Sequence, residues 1–512
     1  MVDTPRYDAG WVRNTDAPDK PPPPNLAGTM GWVSDNLVPN WWHGLLTVFG
    51  IVFLAWMAWG VIEWGVVKAV WTGADREACV ASPEGACWAY AWARFGQFMY
   101  GFYPFDQRWR VDLAYVIGLA GLVPLLMPSL PYKRENALFL LVAYPLIVLI
   151  LLTGGHFDIS LALFMSVAVL VAIAAVALPV ATQGIEATVQ RDRLPLVLAA
   201  GGLILWIVSW FVRPFLVDIG WLVRLFWVDK GVTEVSALQI AVFLLFAAAA
   251  AVSIAVTVRL GGPGSRSAIK SWLGAALAAF AILGLLSVNF GLAPVRTSQW
   301  GGLLVTLVVA VSGIVVSLPL GILLALGRRS DMPVVRLCSI IFIETWRGVP
   351  LISVLFMSSV MLPLFLPEGV TFDKLLRALI GVALFSSAYM AEVVRGGLQA
   401  IPKGQYEAAS ALGLSYWRSM LLIVLPQALK IVIPSIVNTF IGLFKDTTLV
   451  SIIGIFDLLG TINSSFADPK WASSQTAPTG YFFAALTYWI FCFGMSRYSI
   501  FMEDRLHTGH KR

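Results

Sequence analysis

Charge is what this chain has least of. Only 12% of its 512 residues are Asp, Glu, Lys or Arg, where a soluble chain carries about a quarter. With 58% hydrophobic residues and a mean hydropathy of +0.80, it is not a string of soluble domains. Cysteine is scarce too: the four present have no zinc-type spacing. No metal cluster or nucleophile–base constellation is visible, which argues against a membrane enzyme. The Gly-x-x-x-x-Gly-Lys-Ser/Thr phosphate loop is also missing, so this chain is not expected to hydrolyse ATP. The net charge of +6 is not gathered into a basic domain, and no DNA- or RNA-binding motif accompanies it. The first ~40 residues are polar and include Pro21-Pro22-Pro23-Pro24. They lack the apolar centre of a signal peptide and read as a poorly ordered cytoplasmic tail.

What is abundant is the long apolar stretch. About twelve segments approach the roughly twenty residues that cross a hydrocarbon core as a helix. They fall near 44–70, 111–130, 137–153, 160–181, 195–212, 238–258, 272–293, 300–326, 350–366, 374–395, 426–445 and 481–500. The expected fold is therefore an all-α polytopic membrane protein. A barrel would show short alternating segments instead. Lys133-Arg134, Arg191 with Arg193, Arg259 to Lys270, Arg328-Arg329 and Lys511-Arg512 fall in alternate loops or the tail. This bias places both termini in the cytoplasm.

Five parts follow along the chain. Residues 1–43 are the Pro-rich tail, and 44–155 hold three helices with an outer loop at 72–110. Residues 156–290 form a further helical block rich in Ala, Leu and Val, with little polar content inside its spans. Residues 292–503 differ: charges sit in or beside the helices, and a long polar loop at 396–425 interrupts them. Residues 504–512 are a second tail.

Within that loop, Gln405 to Leu412 suits a short helix and Gly413 is placed to end it. A second amphipathic stretch, Tyr416 to Leu425, leads to Pro426 at the membrane entry. On composition alone this is either a handle for another protein or an ordinary interhelical loop. The spacing is more specific: Glu407-Ala408-Ala409, three residues, Gly413, nine residues, then Ile423-Val424-Leu425-Pro426. It resembles the EAA signature of ABC-importer permeases, and the match runs over the whole segment. Phe342 to Pro350, Ser387 to Gly396, and Lys445-Asp446-Thr447-Thr448-Leu449 resemble the polar amino-acid uptake branch. Gly85-Ala86-Cys87-Trp88, Tyr103-Pro104 and Trp109-Arg110 are similar to the M-type subunit of general L-amino-acid permeases. The resemblance covers 44–155 and 292–512. In the familiar permeases a segment like Gly155-His156-Phe157 runs almost directly into one like Phe290-Gly291-Leu292, so the middle block is an insertion without a known role.

That resemblance implies a type I ABC-importer permease core carrying L-amino acids, polar or broad in range, from periplasm to cytoplasm. It implies that Glu407, Ala408, Ala409 and Gly413, with Leu425 and Pro426 completing the signature, belong to a coupling loop docked on a separate ATPase. Two ATPase copies, a second and different permease subunit and a periplasmic amino-acid-binding protein would complete the assembly. The chain itself would hold no cofactor; ATP and Mg would be used by the partner. It would reside in the bacterial inner membrane.

Other residues invite weaker readings. Glu344 with Arg347, and Glu392 with Arg395, are three apart and can share a helix face. Each pair is either a translocation or ATPase-side contact, or local neutralisation near the inner membrane face. Lys445-Asp446 with Thr447-Thr448 follows an apolar helix, so its charges should meet protein or water and not lipid, either as part of a translocation or gating path or as a structural ion pair. Cys79 and Cys87 flank a short outer loop where a disulfide is chemically permitted. Glu63 and Lys68 could pair or snorkel. His156 and Asp158 read as a hydrated loop. Pro319, Pro350 and Pro434 are read as prolines inside helices. The competing reading is a secondary transporter or channel driven by an ion gradient, but the internal repeat that would support it is not visible.

Overall fold

The computed structural model describes residues 29–127, 129–155, 161–183, 193–208, 216–218, 234–259, 263–365 and 373–506. Residues 1–28 and 507–512 of the tails, and His156 with Asp158, lie outside the described residues, while residues 29–36 of the first tail are helical. Among the described residues the secondary structure is helical apart from a short antiparallel pair, β1 (Leu216–Asp218) and β2 (Glu234–Ser236), in the middle block. Among the described residues, eight helices are long and apolar enough to span a membrane. A ninth is a pair, Pro333–Gly348 with Leu351–Leu364, bent by 103°. The other expected spans fall on α6 (Leu161–Gln183), α7 (Leu194–Val208) and α18 (Thr476–Leu506), which are not among the eight.

Packing forms two compact units that cut across the linear division. The first comprises residues up to Phe95 together with Ile462–Phe491. Its first long helix is α1 (Trp41–Ile62), whose N-terminus is capped by Asn40 accepting from the His43 N–H at 3.0 Å. None of the 22 residues of α1 is buried. A disulfide-closed segment follows, with α2 (Arg76–Val80) and the start of α3 (Trp88–Tyr100). Its Cys79, Ala86, Cys87 and Tyr90 are buried, and residues 462–482 pack on it.

The second unit, Gly96–Thr461 with the residues from Cys492 on, holds the helices that follow, while α18 is divided between the two units. Its N-terminal part contains α4 (Trp109–Leu126) and α5 (Tyr144–Thr153). The middle block contains α6 and α7 with α8 (Ala237–Arg259) and α9 (Pro263–Ser287), which pack on one another. Ala172, Ala175, Val242, Phe246 and Ala250 form their shared core. Arg266 and Lys270, expected in a loop, lie in α9, because Pro263 starts that helix early.

The transport part runs through α10 (Gly302–Arg328), α11 (Pro333–Gly348), α12 (Leu351–Phe356), α13 (Lys374–Ala400), α14 (Lys403–Ala411), α15 (Tyr416–Ser419), α16 (Leu425–Asp446) and α17 (Leu458–Ser465). Here α13 packs along both α10 and α16. Leu304, Val309, Leu355, Val382 and Leu443 share one core, and Leu326, Met390, Leu398, Val424 and Ala428 share a second. Asp373 caps α13, accepting from Leu375 N–H at 2.9 Å and Leu376 N–H at 3.2 Å. Pro319 and Pro434 lie inside helices, but Pro350 does not. It is the N-cap of α12 at the 103° bend, since proline disfavours helix in the residue before it and cannot donate to the preceding turn.

Candidate functional site

The loop after α13 folds as a helix, a turn and a return. Lys403–Ala411 is rich in good helix formers, and the helix ends at Gly413, whose φ of +70° is the left-handed region. Gly413 N–H donates to Ser410 O at 2.9 Å and Leu414 N–H to Ala409 O at 3.1 Å, which satisfies carbonyls at the helix end. A Cβ on Gly413 would meet nothing within 4 Å, so glycine serves the angle and not the space. The chain re-enters through α15, a π turn at Met420–Val424 and α16, with Pro426 in its first turn.

The signature residues divide by burial. Glu407, Ala408, Gly413 and Pro426 are exposed. Ala409 is 1% exposed and Leu425 8%, so these two anchor the loop from inside and present no surface to a partner. Ala409 thus faces the protein interior, whereas Glu407 and Ala408 face outward. Two polar ties hold the helix in place. Gln427 Nε2 donates to Gln405 Oε1 at 3.1 Å. Arg329 Nη1 donates to Leu398 O and to Tyr406 Oη, both at 3.1 Å, and the guanidinium lies 5.6 Å from the Tyr406 ring centroid. Arg329, Tyr406, Ser410 and Tyr416 line a hollow of about 350 Å³ beside α14.

Next to this loop, charged residues from α10, α11 and α13 meet at Glu392. Arg395 donates to Glu392 Oε2 from Nε at 2.8 Å and approaches with Nη2 at 2.7 Å. Arg328 Nη1 lies 2.9 Å from Glu392 Oε1 and 2.8 Å from Glu344 Oε1. Arg347 Nη1 is 3.8 Å from Glu392 Oε2, and its guanidinium lies over the Tyr389 ring. The Glu392–Arg395 pair expected from spacing is present. Glu344 and Arg347 instead pair away from each other, one with Arg328 and one with Glu392. The sequence marks Arg328 only as a loop cation, because its partners lie 16 and 64 residues away, beyond any local pattern.

Lys445 and Asp446 end α16, both exposed, and neither makes an ion pair among the described residues. Thr447 Oγ1 donates to Phe444 O at 2.8 Å and Thr448 Oγ1 to Lys445 O at 2.9 Å, so both hydroxyls serve the helix end. Cys79 and Cys87 are bonded to each other, with Cα atoms 5.6 Å apart. Lys68 Nζ lies 2.8 Å from Glu63 Oε1 and 2.7 Å from Glu84 Oε2. The hydrogen bonds that Lys68 donates to Glu63 and Glu84 raise its pKa, and the one it donates to Glu84 lowers that of Glu84. No group of three or more metal-ligating side chains occurs among the described residues.

Spanning helices with an exposed loop of this signature fit a membrane transport subunit. Residues 317–506 match the family model described as binding-protein-dependent transport system inner membrane component. Over nearly its full length the chain is similar to the inner membrane amino-acid ABC transporter permease protein YhdY of Escherichia coli (strain K12). Identity is 41% over 493 residues, covering 96% of this chain and 97% of that protein. It is also 38% identical over 514 residues to the glutamate/glutamine/aspartate/asparagine transport system permease protein BztC of Rhodobacter capsulatus, covering 98% and 100% of the two chains. A chain from a crystal structure of an amino acid ABC transporter with histidines is 29% identical, covers 40% of this chain and 92% of that one, and gives a TM-score of 0.35. The chain therefore belongs to the amino-acid ABC transporter permeases. It is a multi-pass inner-membrane permease subunit, and ATP hydrolysis falls to a separate subunit.

Proposed function

We propose that this permease couples to its ATPase through Glu407 to Pro426, with Glu407 and Ala408 on the docking face and Gly413 setting the reversal. The observation that carries the reading is the exposure of Glu407 and Ala408 on a short helix anchored from within by Ala409 and Leu425. ATP and Mg act in the partner, present in two copies, and closure of that pair moves the loop. The core is of the type I importer kind in a chain of twelve spans with both termini cytoplasmic, an arrangement favoured by the distribution of Lys and Arg. A periplasmic binding protein delivers the substrate. Polar L-amino acids are the substrate class, supported by the substrates for which the Rhodobacter relative is named.

Exposed charge at Lys445 and Asp446, at the end of a spanning helix, supports a second permease subunit or a water-filled path against that face. The family resemblance favours a different second subunit over a second copy of this chain. The Glu392 cluster, beside the loop, transmits its movement to α10, α11 and α13.

Glu407→Lys and Gly413→Asp test the docking role. Both variants are expected in the membrane at normal levels, with ATPase co-purification and ATP-driven uptake reduced tenfold or more, on the order of 1.4 kcal/mol of coupling. Normal co-purification with normal uptake in both would refute it. In proteoliposomes, uptake on a sodium or proton gradient without the ATPase would replace this reading with the gradient-driven one.

A further inference from the structure

The disulfide segment of the first unit has no part in coupling, yet it is built with care. Residues 63–95 are fastened to 462–482, which lie in the stretch matched by the family model. Trp64 Nε1 donates to Gln475 Oε1 at 3.0 Å, Gln475 Nε2 donates to Pro83 O at 2.5 Å, and Cys87 N–H donates to Thr479 Oγ1 at 2.8 Å. Tyr90 Oη and Ser465 Oγ are 2.5 Å apart, Arg94 pairs with Asp468, and Arg76 N–H donates to Lys470 O at 2.8 Å. Phe482 meets the rings of both Trp64 and Trp88.

What this crown turns outward is charged. Arg76, Glu77 and Glu84 are exposed, and Lys68 is held between Glu63 and Glu84. Arg76, Glu77, Val80, Ala81 and Ala472 line a hollow of about 380 Å³, so the family domain contributes one wall. Lipid would not cover such a surface, because unpaired charge is costly there. The disulfide puts the crown on the oxidising side of the membrane. On that side one soluble partner is required, since the matching family is binding-protein-dependent.

We infer that the crown is a docking platform for the periplasmic binding protein, with the Arg76–Glu77 hollow receiving a pair of opposite charges from it. The inference rests on the importer reading above. Mixed charge on a braced surface sets the register of docking more than its strength.

The test uses the full complex in lipid nanodiscs and the amino-acid-binding protein that stimulates its ATP hydrolysis, fluorescently labelled. Arg76→Glu/Glu77→Lys is expected to weaken binding about tenfold and to lower stimulated ATP hydrolysis. Basal hydrolysis and ATPase co-purification should stay at wild-type level. Thiol labelling checks that Cys79 and Cys87 remain bonded in the variant. A second variant, Val80→Gln/Ala81→Gln, fills the hollow without adding charge and should weaken binding while leaving the charged pair in place. Unchanged affinity in both variants overturns the inference. Glu407→Lys should show the opposite pattern, losing the ATPase while still binding the labelled protein, so the two readings fail separately.

Discussion

Glu392 holds its neighbourhood together because it accepts hydrogen bonds from Arg328 and Arg395 and forms an ion pair with Arg347. Its side chain is 16% exposed, while those of Arg328, Arg347 and Arg395 are 26%, 37% and 31% exposed. Glu392→Gln would keep the shape and remove the charge, leaving Glu344 as the only carboxylate in the cluster. Charge-assisted hydrogen bonds at such sites contribute roughly 1.5–3 kcal/mol, discounted here by partial exposure. The expected outcome is a loss of about 1–2 kcal/mol, read as a lower melting temperature of the purified complex. Glu344→Gln should cost less, since its side chain is 54% exposed and Arg328 keeps Glu392. Equal losses in the two variants would argue against Glu392 as the hub. Only part of this cluster could be read from the sequence. Glu392 and Arg395 are three apart on one helix, and that spacing is a local rule. Arg328 reaches them through packing of α10 on α13, which no spacing encodes.

At the scale of elements, legibility follows the range of the forces involved. Helix α14 and its Gly413 stop were readable because propensity and a left-handed turn act within a few residues. The 103° bend between α11 and α12 was missed. Gly348-Val349-Pro350 marks it, but a charged α11 hides the first half from a search for apolar runs. The crown was unreadable beyond its cysteines, since its hydrogen bonds join residues 375 to 411 positions apart. Its tightest point is Gly85, where a Cβ would lie 1.8 Å from Lys68 O. Gly85→Ala must therefore move backbone, an overpacking cost of about 1–3 kcal/mol. Protection of the amides of residues 68–95 against hydrogen exchange should fall in that variant, with coupling to the ATPase retained. Unchanged protection would mean that the segment has room to adjust.

The whole molecule reads as a permease interrupted by a block with its own core, and the geometry of the interruption makes that testable. The chain leaves at α5 and returns at residues 290–295. Val295 N–H donates to Thr153 O at 3.0 Å, and Arg110 Nη1 donates to Ala293 O at 2.8 Å. A Cβ on Gly154 would lie 2.5 Å from Ala293 O, and one on Gly155 would lie 2.9 Å from the Phe290 ring. Entry and exit are thus neighbours, and a few flexible residues can replace everything between them at little closure cost. Because α6, α7, α8 and α9 pack on one another, their removal takes out an intact core and leaves the other cores whole. Their even number also preserves the orientation of the helices that follow. We expect a chain joining Gly155 to Gly291 through a short Gly-Ser linker to insert, to co-purify with the ATPase and to support ATP-driven uptake within about threefold of the full chain, a difference under 1 kcal/mol. Lost insertion or ATPase assembly would show that the block supports the fold. Normal assembly with abolished uptake would place it in the transport cycle, a role its apolar interior does not suggest.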